Sequence, residues 1–236
     1  MNIRQVMKGE QVTAIFFSCR RLDLLKESVW SFVRHNTYPI IEYIIVNDSG
    51  DPKIHKEIED SYVGATFVFN KENVGLVKSI DLGYEHIKTE YFFHSEDDWT
   101  VLKGGFIEKS LKVMLSNPKI EEVWLSDMNE HPIEPKIYKA DDVTYRLVKD
   151  NYLQGKNGFN DLAWHGFTTA IGLKRLSDYK KVAPYASIPW QGTIWHREQA
   201  IGDAYYKLGY RSAILKDTYI KNIGYGRSEY LSGYEK

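Results

Sequence analysis

The chain has 236 residues, with 31 Lys and Arg against 32 Asp and Glu, so no global polycation draws it onto nucleic acid. Hydrophobic residues at 43% and charged residues at 27% mark a globular chain with a substantial core rather than a disordered one. The single cysteine, Cys19, excludes an intramolecular disulfide and a thiolate zinc site, and the lack of an apolar signal core or membrane-length run points to a cytoplasmic protein.

Val12–Ser18 (VTAIFFS) is apolar and β-prone and predicts a buried strand. Asp23 opens a helical pattern, with Leu25, Val29, Phe32 and Val33 at one-face spacing. Residues 41–47 (IEYIIVN) predict a second strand that ends in the turn-forming run Asn47-Asp48-Ser49-Gly50-Asp51. A short helix, a third strand over 66–70 and a helical face made by Val77, Ile80 and Tyr84 follow. Residues 91–94 predict a fourth strand that runs straight into Glu96-Asp97-Asp98-Trp99. Residues 106–115 predict a helix and 120–126 a strand. Strands alternating with helices imply βαβ units, a parallel sheet with helices on both faces, and ligands beyond the carboxyl ends of the strands.

Beyond Asp127 the rhythm weakens. Residues 131–139 contain two prolines and predict a loop, 144–149 a strand, and the Gly- and Asn-rich 154–161 a mobile loop. Residues 167–173 read as extended and 174–181 as helical. A helix is expected over 198–208, with Ile201, Ala204, Tyr205 and Leu208 on one face and Gly209 ending it. Residues 212–215 and 219–223 predict the last strands.

Three adjacent carboxylates, Glu96, Asp97 and Asp98, repel one another, and an apolar strand delivers them to the ligand edge. A divalent cation relieves that repulsion; Mg²⁺ and Mn²⁺ prefer such oxygen ligands and often hold phosphate oxygens as well. A solvated acidic turn, or Asp98 capping a following helix, is the plainer alternative.

Four segments in order, FFSCRRLDLL, IIVNDSGD, NVGLVKSIDLG and YFFHSEDDW, resemble the GT-A glycosyltransferases, especially inverting family 2. The resemblance implies a GT-A, Rossmann-like fold with a mostly parallel central sheet flanked by helices. It implies a single domain over 1–236, with a nucleotide-sugar half to about 127 and an acceptor half from about 128. It places Asn47 or Asp48 on the base or ribose of a nucleoside diphosphate. Arg20 or Arg21 would line the same pocket, with Asn73 and Gly75 admitting the nucleotide to the backbone and Lys78 or Asp81 beside it. The acidic triplet stands where the family has its DXD motif, with Asp98 and Glu96 as the first choice for metal ligands and Asp97 next. Where related enzymes add a C-terminal histidine to the metal, this sequence has Asn222, with Lys221 and Arg227 nearby to meet a diphosphate. The family opens a helix with a Glu-Asp pair; here Glu198-Gln199 stands in that place, which makes Glu198 the expected general base, with Asp203 one turn on.

Trp190, Trp195 and His196 lie just before Glu198, and Trp164, His165 and Gly166 lie upstream. Aromatic faces stack on sugar rings, so the first three are expected to bind an acceptor, although tryptophans fill cores equally well. The reaction expected is transfer from a UDP-sugar or similar donor to a hydroxyl of a saccharide or glycoconjugate, with Mn²⁺ or Mg²⁺ and with inversion. A nucleic acid acceptor finds no support in the net charge. The rivals are a nucleotidyltransferase, against which the glycine-free turn SCRRLD counts, and a degenerate glycan-binding protein, against which the intact triplet and Glu198 count.

Overall fold

All seven residues of the first apolar run are buried, and they alternate between two packed faces. A computed structural model describes residues 9–150, 163–191 and 194–227, without the side chains of residues 194 and 195. The predicted loop over 154–161 lies outside the described residues. In chain order the elements are β1 (Val12–Ser18), α1 (Leu22–His35), β2 (Ile40–Asn47), α2 (Pro52–Ser61), β3 (Thr66–Phe69), α3 (Leu76–Tyr84), β4 (Tyr91–Glu96) and β5 (Trp99–Val101). They continue with α4 (Phe106–Ser116), β6 (Ile120–Trp124), β7 (Tyr138–Ala140), β8 (Val143–Leu147) and β9 (Gly172–Arg175). The last are α5 (Leu176–Val182), α6 (Ile194–Lys207), β10 (Arg211–Leu215) and β11 (Ile220–Asn222).

A nine-stranded sheet runs through the described residues in the order β3-β2-β1-β4-β9-β6-β10-β8-β7. β3, β2, β1 and β4 are mutually parallel, and β6 is parallel to β10. β9 sits antiparallel between β4 and β6, so those two run the same way. Ser18, Asn47, Phe69, Glu96, Trp124 and Leu215 therefore all leave the sheet at one edge.

Alternation along β1 explains the two layers. Val12, Ala14 and Phe16 pack with Leu25, Val29 and Phe32 of α1 and Ile107 and Leu111 of α4. Ile15 and Phe17 pack on the other side with Val77, Ile80 and Tyr84 of α3, Tyr179 of α5 and Ile201 and Tyr205 of α6. Local signals fix the helix ends. The Asp51 carboxylate accepts from the Lys53 N–H at 2.8 Å and Pro52 opens α2. Gly75 precedes α3 with φ +85°, a conformation that favours glycine.

The second half departs from expectation in four places. The predicted loop over 131–139 ends in β7, and Ile133 bridges to Val148. Only the end of the extended stretch over 167–173 is strand, and β9 continues through Lys174 and Arg175. Lys174 reads as a helical residue until its partner is seen: it is the cross-strand neighbour of buried Glu122 and ion-pairs with it. β11 leaves the main sheet and pairs antiparallel with β5, a strand the sequence did not announce. α6 begins four residues before Glu198, which rules out a first-turn role for that acid. Val33, expected on the buried face of α1, is 56% exposed.

Gly83 sits where α3 crosses β1 and β2. A Cβ there would lie 2.8 Å from both Phe17 Cε1 and Val46 Cγ2. Alanine gains up to about 1 kcal/mol of helix propensity, but overpacking a filled core costs about 1–3 kcal/mol. Gly83→Ala is therefore expected to lower the urea unfolding midpoint; an unchanged or raised midpoint would show that the layers separate freely here.

Candidate active site

The acidic turn sits where β4 passes into β5, so no helix follows for Asp98 to cap. Asp97 is fully buried and is gripped by Arg21, which leads into α1. Arg21 Nε donates to Asp97 Oδ2 at 3.3 Å, and Nη2 meets Oδ1 in a shorter contact. Arg21 Nη1 also lies 3.5 Å from Asp98 Oδ2 and donates to the Arg227 carbonyl at 3.2 Å. Burial pushes the Asp97 carboxyl up to about 7, against the opposing pull of Arg21. Arg21 is thus bound to Asp97 and lies beside Asp98.

Glu96 and Asp98 are left with unmet valence. Glu96 Oε1 and Asp98 Oδ1 are both buried and accept no hydrogen bond. Burial first, then the charges of Asp98, Glu198 and Asp97, hold the Glu96 carboxyl well above the usual range. Unsatisfied buried carboxylate oxygens are costly, and a hard divalent cation satisfies them. Among the described residues no three His, Cys, Asp or Glu side chains gather as a metal cage. Two carboxylates with phosphate and water oxygens suffice for Mg²⁺.

The segment expected to complete that site folds back on the turn. Asn222 pairs with Trp99 across the β5–β11 ribbon, and the Ile223 N–H donates to the Asp98 carbonyl at 2.8 Å. Asn222 itself is exposed and its Oδ1 accepts from the Gly224 N–H at 3.0 Å. Gly224, rather than Asn222, meets the Asp98 side chain: a Cβ at Gly224 would lie 2.4 Å from Asp98 Cβ. Lys221 is exposed, and Arg227 makes two hydrogen bonds to Asp23, at 2.7 and 3.0 Å.

Asp48 is 5% exposed and clamps the loop that leads into α3. Its Oδ1 accepts from Val74 N–H at 2.9 Å and Asn70 Nδ2 at 2.8 Å, and its Oδ2 from Gly75 N–H at 2.9 Å. Asn73 Nδ2 donates to the Asp48 carbonyl at 3.0 Å, so the second and third loops are tied together. Asn47 points inward: its Oδ1 accepts from Ser49 N–H at 3.1 Å and its Nδ2 donates to Ser18 Oγ at 2.8 Å. Arg20 is exposed at φ +61°, a strained conformation for a side-chain-bearing residue, and Lys78 is exposed in the first turn of α3. Asp81 faces the other half, where it accepts from Tyr179 Oη at 2.7 Å, Tyr185 N–H at 2.9 Å and Ala186 N–H at 2.7 Å.

Glu198 approaches the same edge on α6. It is 8% exposed, burial raises its carboxyl pKa, and its charge acts on Glu96. Asp203 is occupied elsewhere, 2.6 Å from Lys207 Nζ and 3.8 Å from His165 Nε2. Of the aromatic set, Trp190 is half-buried under the Arg197 guanidinium, 4.7 Å from its ring centroid. His196 is buried, and the side chain of Trp195 lies outside the described residues. Trp164 belongs to the core: its Nε1 donates to the Phe167 carbonyl at 2.9 Å and its ring meets Trp124 edge-on at 5.6 Å. Sequence reasoning missed Thr168, Thr169, Glu122 and Lys174, all gathered under Glu198; two acids inside an otherwise apolar strand, Glu121-Glu122, were the available signal.

The model of the family described as "Glycosyl transferase family 2" matches residues 13–161. No curated protein matches the sequence. Among solved structures the fold is similar to the crystal structure of GalNAc-T7 with UDP, GalNAc and Mn2+, at TM-score 0.62 and 9% identity over 92% of this chain. The chain covers 44% of that protein's length. No helix among the described residues is long and apolar enough to cross a membrane.

The Asp48 clamp makes a prediction about stability. Asp48→Ala strands two backbone N–H groups and leaves the Asn70 amide with Ser79 alone, and is expected to cost about 2–3 kcal/mol in urea unfolding. Full stability with only nucleotide affinity lost would show that Asp48 is not a clamp.

Proposed function

The chain belongs to glycosyl transferase family 2, and from that premise we propose that it transfers a sugar from a nucleoside-diphosphate donor, a UDP-sugar in the first instance, to an acceptor hydroxyl with inversion. The observation that carries this reading is one sheet edge holding two carboxylates with unmet oxygens, Glu96 and Asp98, and a third, Glu198, on a separate helix within electrostatic reach. Glu96 and Asp98 would hold Mn²⁺ or Mg²⁺, which would supply Lewis-acid neutralisation of a departing diphosphate. Arg21 keeps Asp97 buried beside them and so holds the turn in shape. The loops of Asp48, Asn73 and Gly75 form the wall for base and ribose, with Arg20 and Lys78 at its exposed rim. Glu198 takes the proton of the acceptor hydroxyl; a carboxyl whose pKa burial raises is a better base than an exposed one. The acceptor is a saccharide or glycoconjugate that passes Trp190, Trp195 and His196 beside α6.

Donor and metal are tested together by thermal shift with UDP-glucose, UDP-galactose and their N-acetyl forms, with and without Mn²⁺. A donor at 100 times its Kd stabilises by about 2.7 kcal/mol. Asp98→Asn and Glu96→Gln are expected to abolish the Mn²⁺-dependent part of the shift while the protein stays folded; an undiminished shift removes the metal assignment.

Glu198→Gln separates the base from the donor site. Transfer is expected to fall by roughly 10²–10⁴, with donor binding within twofold of wild type by calorimetry. Near-normal turnover would place the base elsewhere.

A further inference from the structure

α6 delivers Glu198, but the groups that aim it belong to other parts of the chain. Its Oε1 accepts from the Thr169 N–H at 2.7 Å, the Thr169 hydroxyl at 2.8 Å and the Thr168 hydroxyl at 3.1 Å. None of these donors reaches Oε2. The two threonines are themselves pinned from below. The Thr168 N–H donates to Glu122 Oε1 at 2.9 Å, and the Thr168 carbonyl accepts from Lys174 Nζ at 2.9 Å. Lys174 closes the loop by ion-pairing with Glu122 Oε2, and Trp124 Nε1 donates to Glu122 Oε1 at 2.9 Å.

Both acids, the lysine and both threonines are buried: Glu122 is 2% exposed, Lys174 4%, Thr169 5%, and Thr168 and Glu198 8%. A buried ion pair on neighbouring strands is a poor way to hold a sheet, because an apolar pair of similar size serves as well or better. Here the pair's other bonds go to the main chain of Thr168 and the Trp124 indole, and the hydroxyl of Thr168 donates to Glu198. The arrangement fixes one carboxylate oxygen with three donors and leaves the other as the more basic atom.

We propose that Thr168 and Thr169, braced by the Glu122–Lys174 pair, are positioning residues that hold Glu198 by Oε1 so that Oε2 takes the acceptor's proton. This rests on the reading of Glu198 as the base. In the step, the acceptor O–H bond breaks and its proton passes to Oε2. The oxygen's electron pair forms the bond to the anomeric carbon. The bond from that carbon to the diphosphate breaks, and its electron pair leaves on the diphosphate.

The test is the Thr168→Val/Thr169→Val double variant, which keeps side-chain shape and the Thr169 N–H but removes both hydroxyls. UDP release from the four UDP-sugars above, with Mn²⁺ and water as acceptor, reads the rate. The kcat is expected to fall roughly 10-fold to 100-fold, with donor KM within twofold and most of the rate restored by Thr168→Ser/Thr169→Ser. The second readout needs no substrate: the Glu198 carboxyl carbon-13 signal, assigned by its loss in Glu198→Gln, should titrate at higher pH in the valine variant. Hydrogen bonds to a carboxylate favour its charged form, so their loss moves it upward; Glu96 from β4, Glu122 from β6 and Lys174 from β9 face the same region and are retained. Thr169→Val alone carries the same expectations at smaller size if the double variant does not fold. Unchanged kcat and titration in the valine variant, beside a dead Glu198→Gln, would overturn the positioning role and leave the base assignment standing. Equal losses in the valine and serine variants without a titration shift would reduce the threonines to packing and overturn it too. Full turnover by Glu198→Gln would remove the base itself and this proposal with it.

Discussion

A guanidinium set among carboxylates governs the carboxyl edge of this sheet. Glu96, Asp97 and Asp98 are consecutive, and Glu198 adds its charge from α6. Two like charges about 4 Å apart repel by about 4 kcal/mol at the dielectric of a protein surface, so the turn cannot form with every acid ionised and unmatched. Arg21 takes the middle member and lies within reach of the third. Its carbonyl-bound edge, in turn, tethers the segment around Arg227. The first loop, the acidic turn and the late segment over 220–227 are thus joined at one side chain, and the two outer acids face the site with oxygens to spare.

Much of this was legible in the residue order. The first five strands of the main sheet to be read, with the helices between them, follow apolar runs closed by polar turns, and the ligand edge follows from parallel strands. The acidic triplet stood out because charge repulsion is written in adjacent letters. What the letters could not tell was the division of labour within it. The resemblance ranks Asp98 ahead of Asp97 without a physical reason, and the structure shows one: Arg21 holds Asp97, and Asp98 keeps a bare oxygen. Asp48 likewise offered a turn former or a nucleotide ligand, and the loop it clamps is 26 and 27 residues away in sequence.

The second half resisted reading for a physical reason. Its strands are short, most of their pairings are antiparallel, and its polar residues are satisfied by partners far along the chain. Lys174 and Glu122 are 52 residues apart, and Thr169 and Glu198 are 29 apart. Periodicity reports a residue's face, not its distant partner. Trp164 shows the same limit from the other side: its composition suits a sugar platform, yet its indole is spent on Phe167 and Trp124.

The β5–β11 ribbon has a consequence for how the molecule is made. Arg21 and the Arg227 carbonyl it grips are 206 residues apart. Translation delivers the first loop and the acidic turn long before the segment over 220–227 leaves the ribosome. The parallel half of the sheet has its strands and helices in hand by then, while the acidic turn still lacks its antiparallel neighbour and the backbone that Asp98 packs against. Order of synthesis therefore finishes this corner after the parallel half of the sheet, and a nascent chain stopped before β11 would carry an acidic turn without its antiparallel neighbour.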